Sequence, residues 1–199
     1  MKHIIIYISI LQIALFVACN NSTKSNDNLK SEYTIMGNSI VKKTFDTLRN
    51  SLQSAISQSG VEGAVPYCKT AAYSLTNIYA SDSVKIRRTA LKYRNPANKP
   101  GTSEERILKM FASLKEQGII NDSIKPITER SKNGEVHFYK AIMLLSMCAS
   151  CHGAKGTDIQ PPVWKAINTL YPLDMAYDFK TGGLRGMWHI TFANKKNNK

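Results

Sequence analysis

The sequence predicts an α+β fold, on three observations. Helical periodicity fills Asn38 to Tyr79, before any strand pattern appears. Alternating strand-like runs then recur at 83–89, 124–130, 135–143 and 184–192. Asn133-Gly134 joins two of those runs and is a strong signal for an antiparallel hairpin. Helices followed by separated antiparallel strands are the α+β pattern. The chain has 199 residues, of which 43% are hydrophobic and 21% charged. That suffices for one domain with its own core.

The start reads as a targeting segment. Lys2 precedes an apolar run from Ile4 to Val17, which is short for a bilayer span and typical of a signal peptide over residues 1–18. Phe16-Val17-Ala18-Cys19 resembles a bacterial lipobox, with Cys19 the lipidated residue; the alternative is a plain signal with a chance cysteine. Residues 19–37, rich in Asn, Ser and Lys, read as the lipidated end and a flexible tether. The expected destination is export, with a lipid anchor to a bacterial membrane facing the periplasm or cell surface.

The folded domain is expected over 38–193. Val41, Phe45, Leu48, Leu52 and Ile56 mark a first helix, capped by Asn38 or Ser39 and ended by Gly60. Val65, Cys68, Ala72, Leu75 and Tyr79 share a face of a second helix, with Pro66 in its first turn. Val84, Ile86 and Arg88 alternate in a short strand. The stretch Arg94 to Pro100 is a rigid loop shaped by two prolines and Asn95. Thr102-Ser103-Glu104-Glu105 offers a capping box before a helix through Ile107, Leu108, Phe111 and Leu114. After the hairpin, Pro161-Pro162 starts a short helix through Val163, Ile167 and Leu170. In the last strand Trp188, Ile190 and Phe192 alternate with Met187, His189 and Thr191. Residues 194–199 are a polar tail.

Chemistry concentrates in Cys148-Ala149-Ser150-Cys151-His152. This C-x-x-C-H spacing is the attachment signature of a c-type haem. Each thiol can add to one vinyl group on the same porphyrin edge, and the histidine becomes an axial iron ligand. A structural zinc site would want four ligands, usually as two pairs, and no second C-x-x-C exists. One covalent haem is therefore the expected cofactor. The net charge of +13 raises nucleic acid as a partner, yet Lys and Arg are spread along the chain with no binding motif. The excess reads as solvated surface, contacts to haem propionates, or attraction to an acidic partner or membrane. Arg88, Lys92, Arg94 and Arg185 are candidates for the propionate contacts, since guanidinium forks match carboxylates; plain surface charge is the alternative.

Of four cysteines, Cys68 remains once lipid and haem claim the others. Candidates for the second axial ligand are Cys68, Met175, Met187, His137 and His189; a five-coordinate iron with Cys68 merely buried is a further alternative. The small all-helical cytochrome c is disfavoured, because there the motif lies near the start.

Val65-x-x-Cys68, the run Arg88 to Asn98, Cys148 to Gly153, Tyr171-Pro172 and Gly183 to Gly186, taken in this order, resemble the single-haem c-type domain with a PAS-like fold. That family was long listed as a domain of unknown function and occurs alone or as the sensor part of bacterial signalling proteins. The resemblance covers Val41 to Phe192. Pro66 departs from the family pattern, where a helix former is usual. The resemblance implies an antiparallel sheet flanked by helices, haem against the sheet, His152 as proximal ligand and Cys68 as the other axial ligand. Two functions follow as expectations: redox or gas sensing at low-potential iron, or single-haem electron transfer with a redox partner protein. A gas such as carbon monoxide would be the sensor's small ligand. An enzyme is not expected, for want of a distal His/Arg pair.

Overall fold

The computed structural model describes residues 2–119 and 124–194, with side chains from residue 27 onward. The side chains of the signal segment and of Cys19, and residues 195–199 of the polar tail, lie outside what is described. The fold is α+β and PAS-like: four antiparallel strands carry helices on both faces. β1 (Val84–Thr89), β2 (Ile127–Arg130), β3 (Val136–Met143) and β4 (Leu184–Phe192) stand in the order β1-β4-β3-β2.

Register follows from alternation. Along β4, Trp188, Ile190 and Phe192 face one side, with Ile86, Val136 and Phe138 from the neighbouring strands. Met187 and Tyr139 face the other. A one-residue slip would invert both sets, so two apolar faces fix one pairing. The β2–β3 hairpin forms at the predicted place. The Gly134 amide donates to the Ser131 carbonyl at 3.0 Å, and Gly134 takes a left-handed φ of 88°. That is a type I-like turn closed by a glycine bulge.

α1 (Lys2–Thr76) covers the first face. It bends at Gly60 (φ 70°), which separates the two predicted helices. The second half ends at Thr76 rather than Tyr79, and Pro66 lies within it. The first half is longer than expected. Tyr33 and Leu29 pack against the sheet core, so the stretch read as tether is partly built into the domain. Asn38 is therefore not a cap. Its side chain donates to the Thr34 carbonyl (3.0 Å) and accepts from Lys140 Nζ (2.7 Å). Gly37 lets the helix lie directly on β3, because a Cβ there would overlap the Phe138 ring.

α2 (Thr102–Glu116) covers the opposite face through Ile107, Leu108 and Phe111. Its cap is displaced by one residue from the expected box. Glu104, not Glu105, reaches back, and accepts from the Gly101 amide at 2.8 Å. The expected strand from Ile124 starts instead at Ile127, and Ile124 packs into the α2 cluster. α3 (Ala149–His152) and α4 (Pro161–Leu170) complete the chain. α4 packs its Val163 and Ile167 with Val65 of α1.

His137 and His189 lie on the α2 side. His137 Nδ1 and His189 Nε2 are 3.0 Å apart, and His189 Nδ1 is 2.8 Å from Glu104 Oε1. Burial pushes Glu104 up, but the His189 and Gly101 bonds and the Arg87 charge hold it net below its usual range. Burial, then the His189 charge, pulls His137 down. Both groups bind fewer protons folded than unfolded, so acid destabilises. The His137 contribution fades as pH falls below 6.5, and that of Glu104 is lost below 4.5 as pH falls through its folded value. The thermal midpoint should drop on acidification across both windows, and Glu104→Gln should flatten the lower part of a midpoint-against-pH curve. A parallel curve for the variant would remove Glu104 as the cause.

Candidate functional site

A cavity of about 870 Å³ lies between the two halves of α1, the first face of the sheet and the C-x-x-C-H turn. This is within the size range of cofactor and ligand sites. Phe45, Leu48, Leu52 and Ile56 wall it from the first half of α1, and Cys68 and Ala72 from the second. Trp188 and Ile142 come from the sheet. Cys148, Cys151 and His152 line the same space, as do Arg88, Arg94 and Arg185. The two motif cysteines, His152, Cys68 and the three arginines therefore meet here, whereas Lys92 does not line the cavity; Cys19 lies outside the described side chains.

The motif is presented by a short turn. Ser146–Cys148 is one turn of 3-10 helix and passes directly into α3. The Cys148 amide donates to the Leu145 carbonyl (2.9 Å) and the Gly153 amide to the Ala149 carbonyl (2.7 Å). Helical rise thus sets the two thiols three residues apart beside one wall.

His152 is held by a carbonyl. Its Nδ1 lies 2.7 Å from the Ala176 oxygen, which can only accept, so Nδ1 carries the proton. Nε2 keeps its lone pair, the state that binds a metal. Burial, then the charges of Arg185, Arg94 and Arg88, hold this imidazole well below the usual range, and the Ala176 bond offsets only part. It is neutral at physiological pH.

Arg94 and Asp174 lock that carbonyl in place. Asp174 Oδ2 accepts from Arg94 Nε (3.2 Å) and Nη2 (3.0 Å), and its Oδ1 accepts from the Ala176 amide (2.7 Å). Arg94 Nη2 also donates to the carbonyls of Cys151 (2.6 Å) and Ala176 (3.2 Å). Arg94 lines the cavity but is chiefly a strut between the motif and the loop that orients His152. Of this candidate propionate contact, Nε and Nη2 are thus taken up by protein acceptors. Nothing in the sequence pattern marks Asp174 or the Ala176 carbonyl, and sequence reasoning missed both.

Arg88 and Arg185 differ. Arg88 Nη2 donates to the Ala72 carbonyl (3.2 Å) and Arg185 Nη1 to that of Lys92 (3.1 Å). The Nε of each is buried without a partner. Burial lowers Arg88, offset by Cys68 and Tyr171. Burial, with the charges of Arg94 and Arg88, brings Arg185 down to about 10, so it stays charged at neutral pH. Three guanidiniums thus crowd one cavity, and two of them, Arg88 and Arg185, keep an unfilled donor, an arrangement that favours an anionic occupant.

Cys68 stands in the electrostatic field of Arg94 and Arg88, which offsets part of the rise that burial imposes on its thiol. Burial raises Cys151 to about 11 and raises Cys148 as well. Met187 is fully buried in the α2 cluster, and Met175 does not line the cavity. His137 and His189 lie behind the sheet. Met143 and Met147 do line the cavity, and the sequence reading passed over them. Asn95 shapes its loop as expected, accepting from the Ala97 amide at 3.0 Å. Among the described residues no three His, Cys, Asp or Glu side chains are grouped to hold a bare metal ion, and no helix is long and apolar enough to cross a membrane.

Among curated proteins, none matches this sequence significantly. The crystal structure of the cyanobacterial heme-protein Tll0287 is similar, with a TM-score of 0.59 and 24% identity. The match covers 82% of this chain and 96% of that one, and bears on the fold. Residues 24–193, nearly all of the described domain, match the Tll0287-like family. The chain belongs to the Tll0287-like family.

Proposed function

We propose that this chain binds one haem c covalently and serves in redox or gas sensing as an exported, lipid-anchored protein. The single observation that carries the reading is the donor set of the cavity. Two thiols at C-x-x-C spacing, a neutral imidazole with Nε2 free and two guanidiniums, Arg88 and Arg185, each with an unfilled donor share one largely apolar space. Those residues fit a dianionic porphyrin-bound metal. A similar fold is found in a protein described as a cyanobacterial heme-protein, which supports the same cofactor.

In this reading Cys148 and Cys151 would form the thioether links, and His152 and Cys68 would hold the iron. Arg88 and Arg185 face the propionates with their unfilled donors. Bound haem would supply a reversible one-electron couple and a site for a small gas. Ala176 and Arg94 hold His152 in one tautomer, and the apolar walls from α1 keep water away. A thiolate at Cys68 would suit an oxidised, low-potential state and would bind a reduced iron less well, which favours a sensor. The role is non-enzymatic, with a lipid on Cys19 as the anchor.

The decisive experiment is acid-acetone extraction of protein made with a cytochrome c maturation system. The haem should stay with the wild type and be lost from Cys148→Ser/Cys151→Ser. Extractable haem in the wild type would end the covalent reading. In the same cells Cys19→Ser should leave the membrane fraction; if it remains there, the anchor is not at Cys19.

A further inference from the structure

We propose that the rim formed by Lys92, Lys155, Trp164 and Tyr177 is the docking face for an acidic redox partner protein, an inference that rests on the haem reading above. None of the four lines the cavity. They form a separate surface beside the motif turn.

Two cations are fixed there on aromatic rings. Lys155 Nζ stands 3.9 Å from the Trp164 ring centre and 3.6 Å from that of Tyr177. Those rings meet edge to face at 5.3 Å. Lys92 Nζ lies 5.2 Å from the Tyr177 ring centre and 4.8 Å from that of Phe179, and donates to the Tyr177 carbonyl. Both lysines remain exposed, as do Lys165 and Lys180, the chain neighbours of Trp164 and Phe179. Cation–π contact holds each ammonium in place without cancelling its charge.

The nearby acids do not neutralise this rim. Asp158 Oδ2 accepts from the Ala154 amide (2.8 Å) and Asp178 Oδ1 from that of Lys155 (3.4 Å). Lys92 and Lys155 are fixed on the rings, with exposed Lys165 and Lys180 adjoining in sequence, while the two acids face backbone amides, so the rim presents fixed positive charge. Half-buried rings between fixed cations suit a partner that brings carboxylates and covers aromatic area on docking.

The position argues for a redox partner. Tyr177 directly follows Ala176, whose carbonyl accepts from His152 Nδ1. On its other side the Phe179 amide donates to the His152 carbonyl (3.0 Å), and the Asp178 amide to that of Gly153 (2.8 Å). A protein seated on Tyr177 is thus one residue and one hydrogen bond from the imidazole. One electron would pass from the reduced group that His152 holds to the partner, which is reduced as that group is oxidised.

The test uses the holo-protein with two kinds of probe. Ferrous protein is oxidised by ferricyanide, an anion, and by hexaammineruthenium(III), a cation. Lys155→Glu should slow the first several-fold at low salt and speed the second, the two effects closing at high ionic strength. Lys109→Glu, on α2 across the sheet, is the charge-matched control and should alter neither rate comparably. Titration with poly-L-glutamate, followed by NMR, should move the Trp164 indole N–H and leave that of buried Trp188 in place, and Lys155→Glu should abolish the movement. Equal rate changes in both variants, or an unmoved Trp164 signal, would overturn the docking face. Protein that carries no haem would instead sink the cofactor reading, and the NMR arm would still decide the rim.

Discussion

Asp174→Ala should lower the thermal midpoint by roughly 6–20 °C, from a loss of about 3–5 kcal/mol for a broken buried ion pair in a domain of this size. The Asp174 side chain is 1% exposed and that of Arg94 13%. Removing the carboxylate leaves a buried guanidinium without its counter-charge and the Ala176 amide without an acceptor. Asp174→Asn keeps the shape and the Ala176 contact, so it should cost less. The loss also reaches the site, because the Ala176 carbonyl orients His152. Differential scanning calorimetry of the three proteins decides the matter. A midpoint within 2 °C of wild type for Asp174→Ala would mean that the loop is held by something else.

The second large effect is spectroscopic. Cys68→Ala should abolish a low-spin thiolate signal in electron paramagnetic resonance of the ferric protein and raise the midpoint potential. A thiolate donates electron density and offsets ferric charge, and its removal takes away that preference for the oxidised state. Cys68 lines the same cavity as His152, while Met175, Met187, His137 and His189 do not. Identical spectra from wild type and variant would make Cys68 a buried bystander. Met143 and Met147, which share the cavity, would be tested next.

How much of this could be read from the sequence depended on the range of the interaction. The strands were legible because their alternation is local and two apolar faces enforce it, as in Trp188, Ile190 and Phe192 against Met187. The C-x-x-C-H motif was legible because one turn of chain contains it. The start of the first helix was not. Polar residues around Ser31 read as tether, whereas Tyr33 and Leu29 find the sheet only in three dimensions. The split role of the arginines was equally hidden. Arg94 meets Asp174 across eighty positions, and no local pattern separates it from Arg88. His137 and His189 lay on strands as expected, but only the sheet register set His189 against Glu104, and His137 against His189, on the face away from the cavity.

The order β1-β4-β3-β2 leaves β1 and β2 as edges. An open edge invites a strand from another chain, and length, flatness and hydrophobicity make it more dangerous. Here the edges are short and carry charge. β2 has four residues, ending in Glu129 and Arg130, and Glu129 is bound to Arg106 of α2 at 2.6 Å. β1 has six and exposes Lys85 and Arg87. The aggregation-prone apolar alternation of β3 and β4 is confined to the sheet interior. An incoming strand at either edge would meet cations or an occupied carboxylate, which makes this sheet a poor template for fibrils or for swapped dimers.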